Sequence, residues 1–270
     1  MPIASNLTST ASSAPLPQDL RIATTFLKIL LKSTYPVPLG YDEAKKSKMT
    51  TEMHSTIGLK ESIEQRRAAR AFRSDPIPEV TLEEILRVGI QSPSGYNLQP
   101  WRFVVVREQE NKEKLKDCAF NQRQVGEAPV VLICCGDRRV AASEYVESVI
   151  KLGMDAGGLN EQFANVMREQ IPALFEYHPC FESLEAWTNR HTMLAVAHIM
   201  IVAKSYGVDS CPMEGFVSAQ VKEAFQIPEE VDVCCLLPLG YAAEPFKQYG
   251  GRFGIDQVCF GESYGERFQL

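Results

Sequence analysis

Several features that would assign this 270-residue chain to a special class of proteins are missing from its sequence. It has no run of 18 apolar residues, so no segment is suited to cross a membrane as a helix. Its first residues lack a basic stretch followed by an apolar core and a small-residue cleavage site, so nothing there indicates secretion. We therefore expect a soluble cytoplasmic protein with no membrane span.

Side chains arranged for nucleophilic or metal-assisted catalysis are also scarce. None of the eight cysteines forms a C-x-x-C pair, and no group of cysteine and histidine has the spacing of a zinc site. Of the four histidines, His191 and His198 lie on one segment predicted to be a buried helix, which favours packing over catalysis. No Ser/His/Asp arrangement and no Gly-x-Gly-x-x-Gly fingerprint are present.

A large positive charge is missing as well. The formal net charge is −6, which argues against an extended nucleic-acid footprint. Residues 1–60 carry seven Lys and Arg against four Asp and Glu, whereas the remainder carries 21 against 30. The chain therefore has a mildly basic leader and an acidic body, and we expect no nucleic-acid partner.

Four of the cysteines occur as adjacent pairs, Cys134-Cys135 and Cys234-Cys235, inside apolar runs typical of strands. Successive side chains of a strand point to opposite faces, so these thiols are predicted to be small buried hydrophobic groups. Unpaired buried cysteines fit a reducing compartment.

The chain divides into two parts. Residues 1–55 are predicted to be a flexible leader with a short amphipathic helix at 19–32, and residues 56–270 to be one domain. The helix is suited to pack on the body, to bind a partner or to lie on a membrane, and packing on the body is favoured. Within the domain, periodicity and turn residues predict helices near 58–69, 80–91, 109–118, 183–206 and 216–225, strands at 102–107, 129–135 and 232–239, and a helical insertion between 140 and 182.

The most informative stretch runs from Ser92 to Val106, where a predicted helix is joined to a buried strand. Its loop contains Pro93, Gly95 and Asn97, which favour turn geometry, and Gly95 is suited to a positive φ. Such a rigid polar loop on a packed scaffold suits the edge of a flat ligand. It is also suited to be a plain connection between helix and strand.

Three arginines precede that stretch. Arg66, Arg67 and Arg70 lie close together, and the predicted helix would place Arg66 and Arg70 on one face. The order Arg-Arg-x-x-Arg-x-Phe, helix, Ser-Pro-Ser-Gly-x-Asn-x-Gln-Pro-Trp, strand resembles the nitroreductase family of flavin enzymes, from about residue 60 to 256. The resemblance implies an α+β fold with a central mixed or antiparallel sheet flanked by helices, and an obligate homodimer with flavin mononucleotide (FMN) between its subunits.

The resemblance also implies roles for four arginines. Arg66, Arg67 and Arg252 match basic residues that bind the FMN phosphate in the family. Arg70 matches a cation near flavin N1 and O2, where it would stabilise the reduced ring. Forked guanidinium donors suit the phosphate group.

Residues along the flavin ring are implied in the same way. Pro93, Ser94 and Asn97 match a loop that the partner subunit places against the ring, and Asn121 matches a contact to its pyrimidine edge. The backbone N–H groups of Glu214 and Gly215 match donors to N5 and O4.

The chain departs from the family pattern at three positions. Ala68 stands where a serine often contacts the phosphate, and Gln124 and Gly250 stand where some relatives have lysine. We therefore expect fewer cations around the cofactor than in those relatives.

The implied activity is oxidation of NAD(P)H by bound FMN, followed by two-electron reduction of a nitroaromatic or quinone in a ping-pong mechanism. The shortage of catalytic side chains suits such an enzyme, because the flavin carries the chemistry. Two alternatives remain: a flavin enzyme of the same fold with other chemistry, such as reductive dehalogenation or flavin cleavage, and a non-catalytic flavin-binding sensor. Tyr145, Phe163, Phe175, Tyr177, Phe181 and Trp187 are suited either to wall the acceptor pocket or to form plain core.

Overall fold

A computed structural model describes residues 56–177 and 183–269. The predicted leader at 1–55 and its helix at 19–32 lie outside these residues. Two short 3-10 turns, Gly95–Asn97 and Arg138–Ala141, occur among the longer elements. The helices are α1 (Leu59–Gln65), α2 (Glu79–Gly89), α3 (Gln109–Cys118), α4 (Arg123–Glu127), α5 (Ser143–Asp155), α6 (Glu161–Tyr177), α7 (Leu184–Ser205), α8 (Ser218–Ala224) and α9 (Ile255–Val258), and the strands are β1 (Trp101–Val106), β2 (Val130–Asp137), β3 (Asp209–Ser210) and β4 (Val231–Gly240).

The strands form one sheet in the order β1-β2-β4-β3, and every neighbouring pair is antiparallel. A parallel bridge joins Ala68 to Ser210 at the β3 edge. The predicted α+β fold, with a central sheet flanked by helices, is confirmed. Each of the three long predicted strands lies within one or two residues of its observed bounds.

The central strand β2 organises the core, because all eight of its residues are buried. Val131, Ile133 and Cys135 face a cluster that includes residues of α3, α4 and α8. Their neighbours Leu132 and Cys134 face a second cluster formed with α2 and α7. This alternation is the two-residue period of a strand covered by helices on both sides.

The prediction of buried thiols is confirmed for Cys134, Cys135 and Cys235, whereas Cys234 is only partly buried. None of the seven described cysteines forms a disulfide. Burial raises the pKa of Cys135 to about 12, and it raises the pKa of Cys134 well above the ordinary value. Both thiols therefore stay protonated at neutral pH and act as packing groups.

The helical insertion predicted between 140 and 182 is present as α5 and α6. These helices form a third apolar cluster with Leu98 and Trp187, and so they pack on the loop that precedes β1. The ring of Trp187 meets Phe175 edge-on with centroids 5.0 Å apart. Among the described residues, no helix is long and apolar enough to cross a membrane.

One predicted helix is wrong at its end. The helix predicted for 58–69 stops at Gln65, and the chain turns extended at Arg66, with φ −58° and ψ 125°. The continuation pairs with the sheet instead, since the Ala69 N–H donates to the Ser210 carbonyl at 3.1 Å. Pairing with a strand edge far along the chain overrides the local helical pattern.

The crossing of α2 and α7 gives a test of the packing. A Cβ at Gly89 would overlap Ile199 Cγ1 and come within 3.1 Å of the Ile199 Cα. We expect Gly89→Ala to lower the free energy of unfolding by about 1–2 kcal/mol, because overpacking outweighs the gain in helix propensity. Urea unfolding at one fixed protein concentration measures the change.

Gly250→Ala is the matched control, because a Cβ there would meet no atom within 4 Å. We expect its stability to stay within about 0.5 kcal/mol of the parent. Equal unfolding midpoints for both variants would contradict the close approach of the two helices.

Candidate functional site

A basic cavity of about 380 Å³ lies beside the β3 edge of the sheet. Two stretches of chain far apart in the sequence, residues 66–71 and 244–252, supply most of its lining. The structure thereby brings together the four arginines to which the resemblance assigns cofactor binding: Arg66, Arg67, Arg70 and Arg252.

The backbone that presents three of these arginines is extended. Ala69 and Ala71 are buried against the sheet, whereas the Arg70 side chain between them is exposed. The prediction that Arg66 and Arg70 share one helical face is therefore wrong. The residues still meet in one cavity, because the bridge between Ala68 and Ser210 fixes the segment along the sheet edge.

The cavity holds an excess of positive charge. Within the described part of the chain, no salt bridge pairs any of its four arginines with a carboxylate, and Lys247 adds a fifth cation. Glu244 is the one acidic residue among the described residues of the lining, and its Oε1 already lies 3.0 Å from Nη1 of Arg123. An anion with two charges suits this site, because it would offset repulsion between the guanidinium groups.

An aromatic residue contacts two of the arginines. The Arg67 guanidinium lies 4.4 Å from the ring centroid of Tyr249, and that of Arg252 lies 5.4 Å from it. The ring is half exposed at 50%. Sequence reasoning missed Tyr249, since nothing in the sequence places it near Arg67.

A second group of predicted residues meets beside this cavity. The Gln122 side chain donates to the carbonyl of Gly215 at 2.8 Å, and so the turn that contains Asn121 contacts the Glu214-Gly215 backbone. A Cβ at Gly215 would lie only 2.9 Å from Gln122 Nε2, so glycine permits this close approach. Asn121 itself is exposed, with a left-handed φ of 54°.

Contacts at the rim connect this group with the basic cavity. Pro212 lines the cavity two residues before Glu214. Burial raises the pKa of the neighbouring Cys211 thiol, and the nearby charge of Arg70 opposes that rise. Arg70 and Pro212 therefore belong to the part of the cavity that lies along the chain next to Glu214.

The loop at 93–100 is held in an unusual backbone conformation. Tyr96, Asn97 and Gln99 all have positive φ, at 53°, 55° and 44°. The prediction that Gly95 adopts a positive φ is wrong. Glycine is needed there for space, because a Cβ at this position would lie only 3.1 Å from the Trp187 ring. Left-handed geometry at three non-glycine residues needs support from the surrounding structure.

Arg102 supplies much of that support. Its guanidinium donates to the Gln99 carbonyl at 2.9 Å and to the Tyr145 hydroxyl at 3.1 Å, and that hydroxyl donates to the Leu98 carbonyl at 2.9 Å. Arg102 also lies 3.5 Å from the buried carboxylate of Asp137. Burial acts to raise the pKa of Asp137, but hydrogen bonds from Arg139 and the charges of both arginines outweigh burial and lower it.

An apolar cavity of about 730 Å³ lies between this loop, α5, α6 and Trp187. Ser94 and Asn97 line it, whereas Pro93 is exposed at the start of the loop and is not part of the lining. Of the six candidate aromatic residues, Phe163 and Trp187 line this cavity. Phe181 and the side chain of Tyr177 lie outside the described residues.

The two cavities lie at opposite corners of the sheet. The 93–100 loop leads into β1 at Trp101, which faces Gly136 near the end of β2. The arginine segment pairs through Ala68 with Ser210 of β3. Ser210 faces Leu239 of β4, and Leu239 in turn faces Val130, the first residue of β2. These positions lie at opposite edges of the sheet and roughly 20 Å apart along the strand direction.

The residues present fit the cofactor that the resemblance implies. The basic cavity offers a phosphate guanidinium groups that are in no salt bridge among the described residues, and the chain at Glu214 and Gly215 is exposed. Flat ring systems need such an open polar edge together with apolar walls.

Comparison with known proteins agrees with this geometry. The model of the nitroreductase family matches residues 63–241, about two thirds of the chain. A Thermus thermophilus protein named "NADH dehydrogenase" is 34% identical over 180 residues, which cover 67% of this chain and 84% of that protein. A Bacillus subtilis protein named "Putative NAD(P)H nitroreductase YdgI" is 33% identical over 218 residues, which cover 77% and 99%.

A solved structure is similar in fold as well. The Exiguobacterium sibiricum protein described as a "putative nitroreductase in complex with FMN" superimposes with a TM-score of 0.69 and 25% identity, over 78% of this chain and all of that chain. The sequence match, the shared fold and the basic cavity lead to one conclusion: this chain belongs to the nitroreductase family.

Proposed function

We propose that this protein is an FMN-dependent oxidoreductase that passes two electrons from NAD(P)H to a small uncharged acceptor, a nitroaromatic or quinone. The observation that carries the proposal is the group of four arginines in the basic cavity, none of which is in a salt bridge among the described residues. The names of its relatives support the donor, and the FMN complex of a similar structure supports the cofactor.

In this proposal Arg66, Arg67 and Arg252 hold the FMN phosphate. Guanidinium groups bind phosphate through paired N–H donors, and charge-assisted hydrogen bonds are stronger than neutral ones. Arg70, which lies near Cys211, holds a positive charge near N1 and O2 of the ring. The exposed carboxylate of Glu244 is kept from repelling the phosphate by its pairing with Arg123.

The ring end of the site is built mainly from backbone. Glu214 and Gly215 offer their N–H groups to N5 and O4, and the hydrogen bond from Gln122 to the Gly215 carbonyl holds the peptide that follows these two groups. Asn121 offers its side-chain amide to the pyrimidine edge. When bound, FMN supplies the two-electron transfer chemistry, so these residues have only to orient the ring and leave one face open.

The sequence has no separate dinucleotide fingerprint for the donor. We therefore propose that donor and acceptor occupy the same open face in turn, which gives ping-pong kinetics. No acid is positioned by the described residues, and the proton is assigned to water.

We also propose that the working form is a homodimer. Within one chain the 93–100 loop and the basic cavity lie at opposite corners of the sheet, too far apart to enclose one FMN. A second copy solves this problem by placing its own Pro93, Ser94 and Asn97 against the ring. The apolar cavity behind that loop then receives the acceptor, because it shares Ser94 and Asn97 with the ring contact.

An anaerobic visible spectrum tests the proposed activity. We expect the purified protein, after incubation with FMN and removal of free flavin, to show flavin bands that bleach with NADPH or NADH. The bands are expected to return when a nitroaromatic or quinone is added. Bands that neither donor bleaches would favour a flavin-binding sensor, and a protein that takes up no FMN would contradict the proposal.

The charge of the acceptor gives a second test. No charged side chain lines the apolar cavity in the described residues, and a carboxylate placed there loses hydration without a partner. We expect kcat/KM for nitrobenzene to exceed that for 4-nitrobenzoate by about 10-fold or more. Stopped-flow reoxidation of the protein reduced with NAD(P)H measures both rates without interference from the donor step.

Two exposed residues of α5 provide a matched pair for this experiment. Leu152 lines the apolar cavity and Met154 does not, and their side chains are 52% and 38% exposed. Leu152→Lys is expected to reduce the preference for nitrobenzene several-fold, since the added ammonium pairs with the carboxylate, whereas Met154→Lys is expected to retain the preference. Equal rates for both acceptors in the parent protein would disprove the assignment of this cavity.

A further inference from the structure

We propose that Tyr249 is a specificity-determining residue for phosphorylated flavin, because its ring holds Arg67 and Arg252 at the phosphate position. Tyr249 is a positioning residue in this inference, which rests on the proposed function: it acts through the two guanidinium groups and not on the ligand itself.

The two guanidinium groups are within cation–π distance of one aromatic ring. Both lie over the Tyr249 ring, at 4.4 Å and 5.4 Å from its centroid. Stacking on an aromatic face occupies the face of a guanidinium and leaves its in-plane N–H donors free. A phosphate is bound through those same in-plane donors, so the two interactions are compatible.

The hydrogen bonds of the two arginines leave donors for that purpose. Nη1 of Arg67 donates to the carbonyls of Glu64 and Arg66, at 2.7 Å and 2.8 Å. Nη1 of Arg252 donates to the Gly251 carbonyl at 2.7 Å. Among the described residues, Nε and Nη2 of either arginine make no hydrogen bond, and both atoms are available to an anion.

Tyr249 also offsets the repulsion between the arginines in the site without ligand. Arg67 and Arg252 come from opposite ends of the domain, and the positive charges in the cavity repel one another when no anion is bound. The negative face of an aromatic ring attracts both cations and limits their rotamers. The arginine side chains then lose less conformational entropy when phosphate binds, which is the usual advantage of a preorganised site.

The segment that contains Tyr249 is anchored independently of this contact. Glu244 pairs with Arg123 at 3.0 Å, and the Ala242 N–H donates to the Asp209 carboxylate at 3.1 Å. Lys204, which pairs with Asp209 at 3.0 Å, lies 5.7 Å from the ring centroid of Phe246. Removing the Tyr249 ring should therefore change the arginines without releasing the segment.

Affinity for FMN and for riboflavin tests this inference, because riboflavin has the same ring and no phosphate. An exposed cation–π interaction corresponds to a factor of about 2–5 in an equilibrium constant. Because Tyr249→Ala removes the ring from both arginines, we expect it to raise the Kd for FMN about 5- to 25-fold. The Kd for riboflavin is expected to change less than about two-fold, since riboflavin has no group for these arginines to bind. Fluorescence titration of the flavin-free full-length protein measures both constants.

Two further Tyr249 variants separate the cation–π interaction from packing, and two variants at other positions serve as references. Tyr249→Phe is expected to keep the affinity of the parent, since it retains the ring, and Tyr249→Leu is expected to behave like Tyr249→Ala. Phe253→Ala is the control, because Phe253 is 77% exposed and makes no ring contact with either arginine. Arg67→Gln shows the loss of FMN affinity expected when a phosphate ligand is removed outright.

The outcomes distinguish this inference from the proposed function. A parent protein that binds neither flavin would overturn both. A parent that binds FMN more tightly than riboflavin, with the same ratio in Tyr249→Ala, would overturn the role of Tyr249 alone. A Tyr249→Leu variant with full affinity for FMN would also overturn it, because packing and not the aromatic face would then be sufficient.

Discussion

Repulsion among like charges is the constraint on which the candidate site depends. Arg66, Arg67, Arg70 and Arg252 converge on one cavity of about 380 Å³, and no described carboxylate pairs with any of them. Proteins rarely leave such a group without a counter-charge, since each cation raises the free energy of the others. The arrangement is understandable if the missing charge belongs to a bound anion, and the family to which the chain belongs is consistent with an FMN phosphate.

The sheet sets where everything else lies. Its central strand β2 is buried on both faces, so β1 and β3 become the two edges and carry the two halves of the site apart from each other. The extended arginine segment follows the β3 edge. The strained 93–100 loop leads into β1, and hydrogen bonds from Arg102 and Tyr145 stabilise it. In the proposed homodimer, the loop of one chain lies against the basic cavity of the other.

The fold was largely predictable from the sequence, and the site was predictable only through the resemblance. Apolar runs identified β2 and β4, and the helix predicted near 183–206 agrees with α7 within one residue at each end. Local pattern failed at Arg66, because the pairing of Ala68 with Ser210 joins residues far apart in the chain. It also missed Tyr249 and Arg102, whose roles arise from contacts between distant segments that no spacing in one sequence reveals.

The measurement that tests this account most directly is a crystal structure of the protein with FMN bound. The account predicts a dimer in which the phosphate lies within hydrogen-bond distance of Arg67 and Arg252 of one protomer. It also predicts that Ser94 and Asn97 of the other protomer lie against the flavin ring. A phosphate bound away from the basic cavity, or a flavin enclosed by a single protomer, would contradict it.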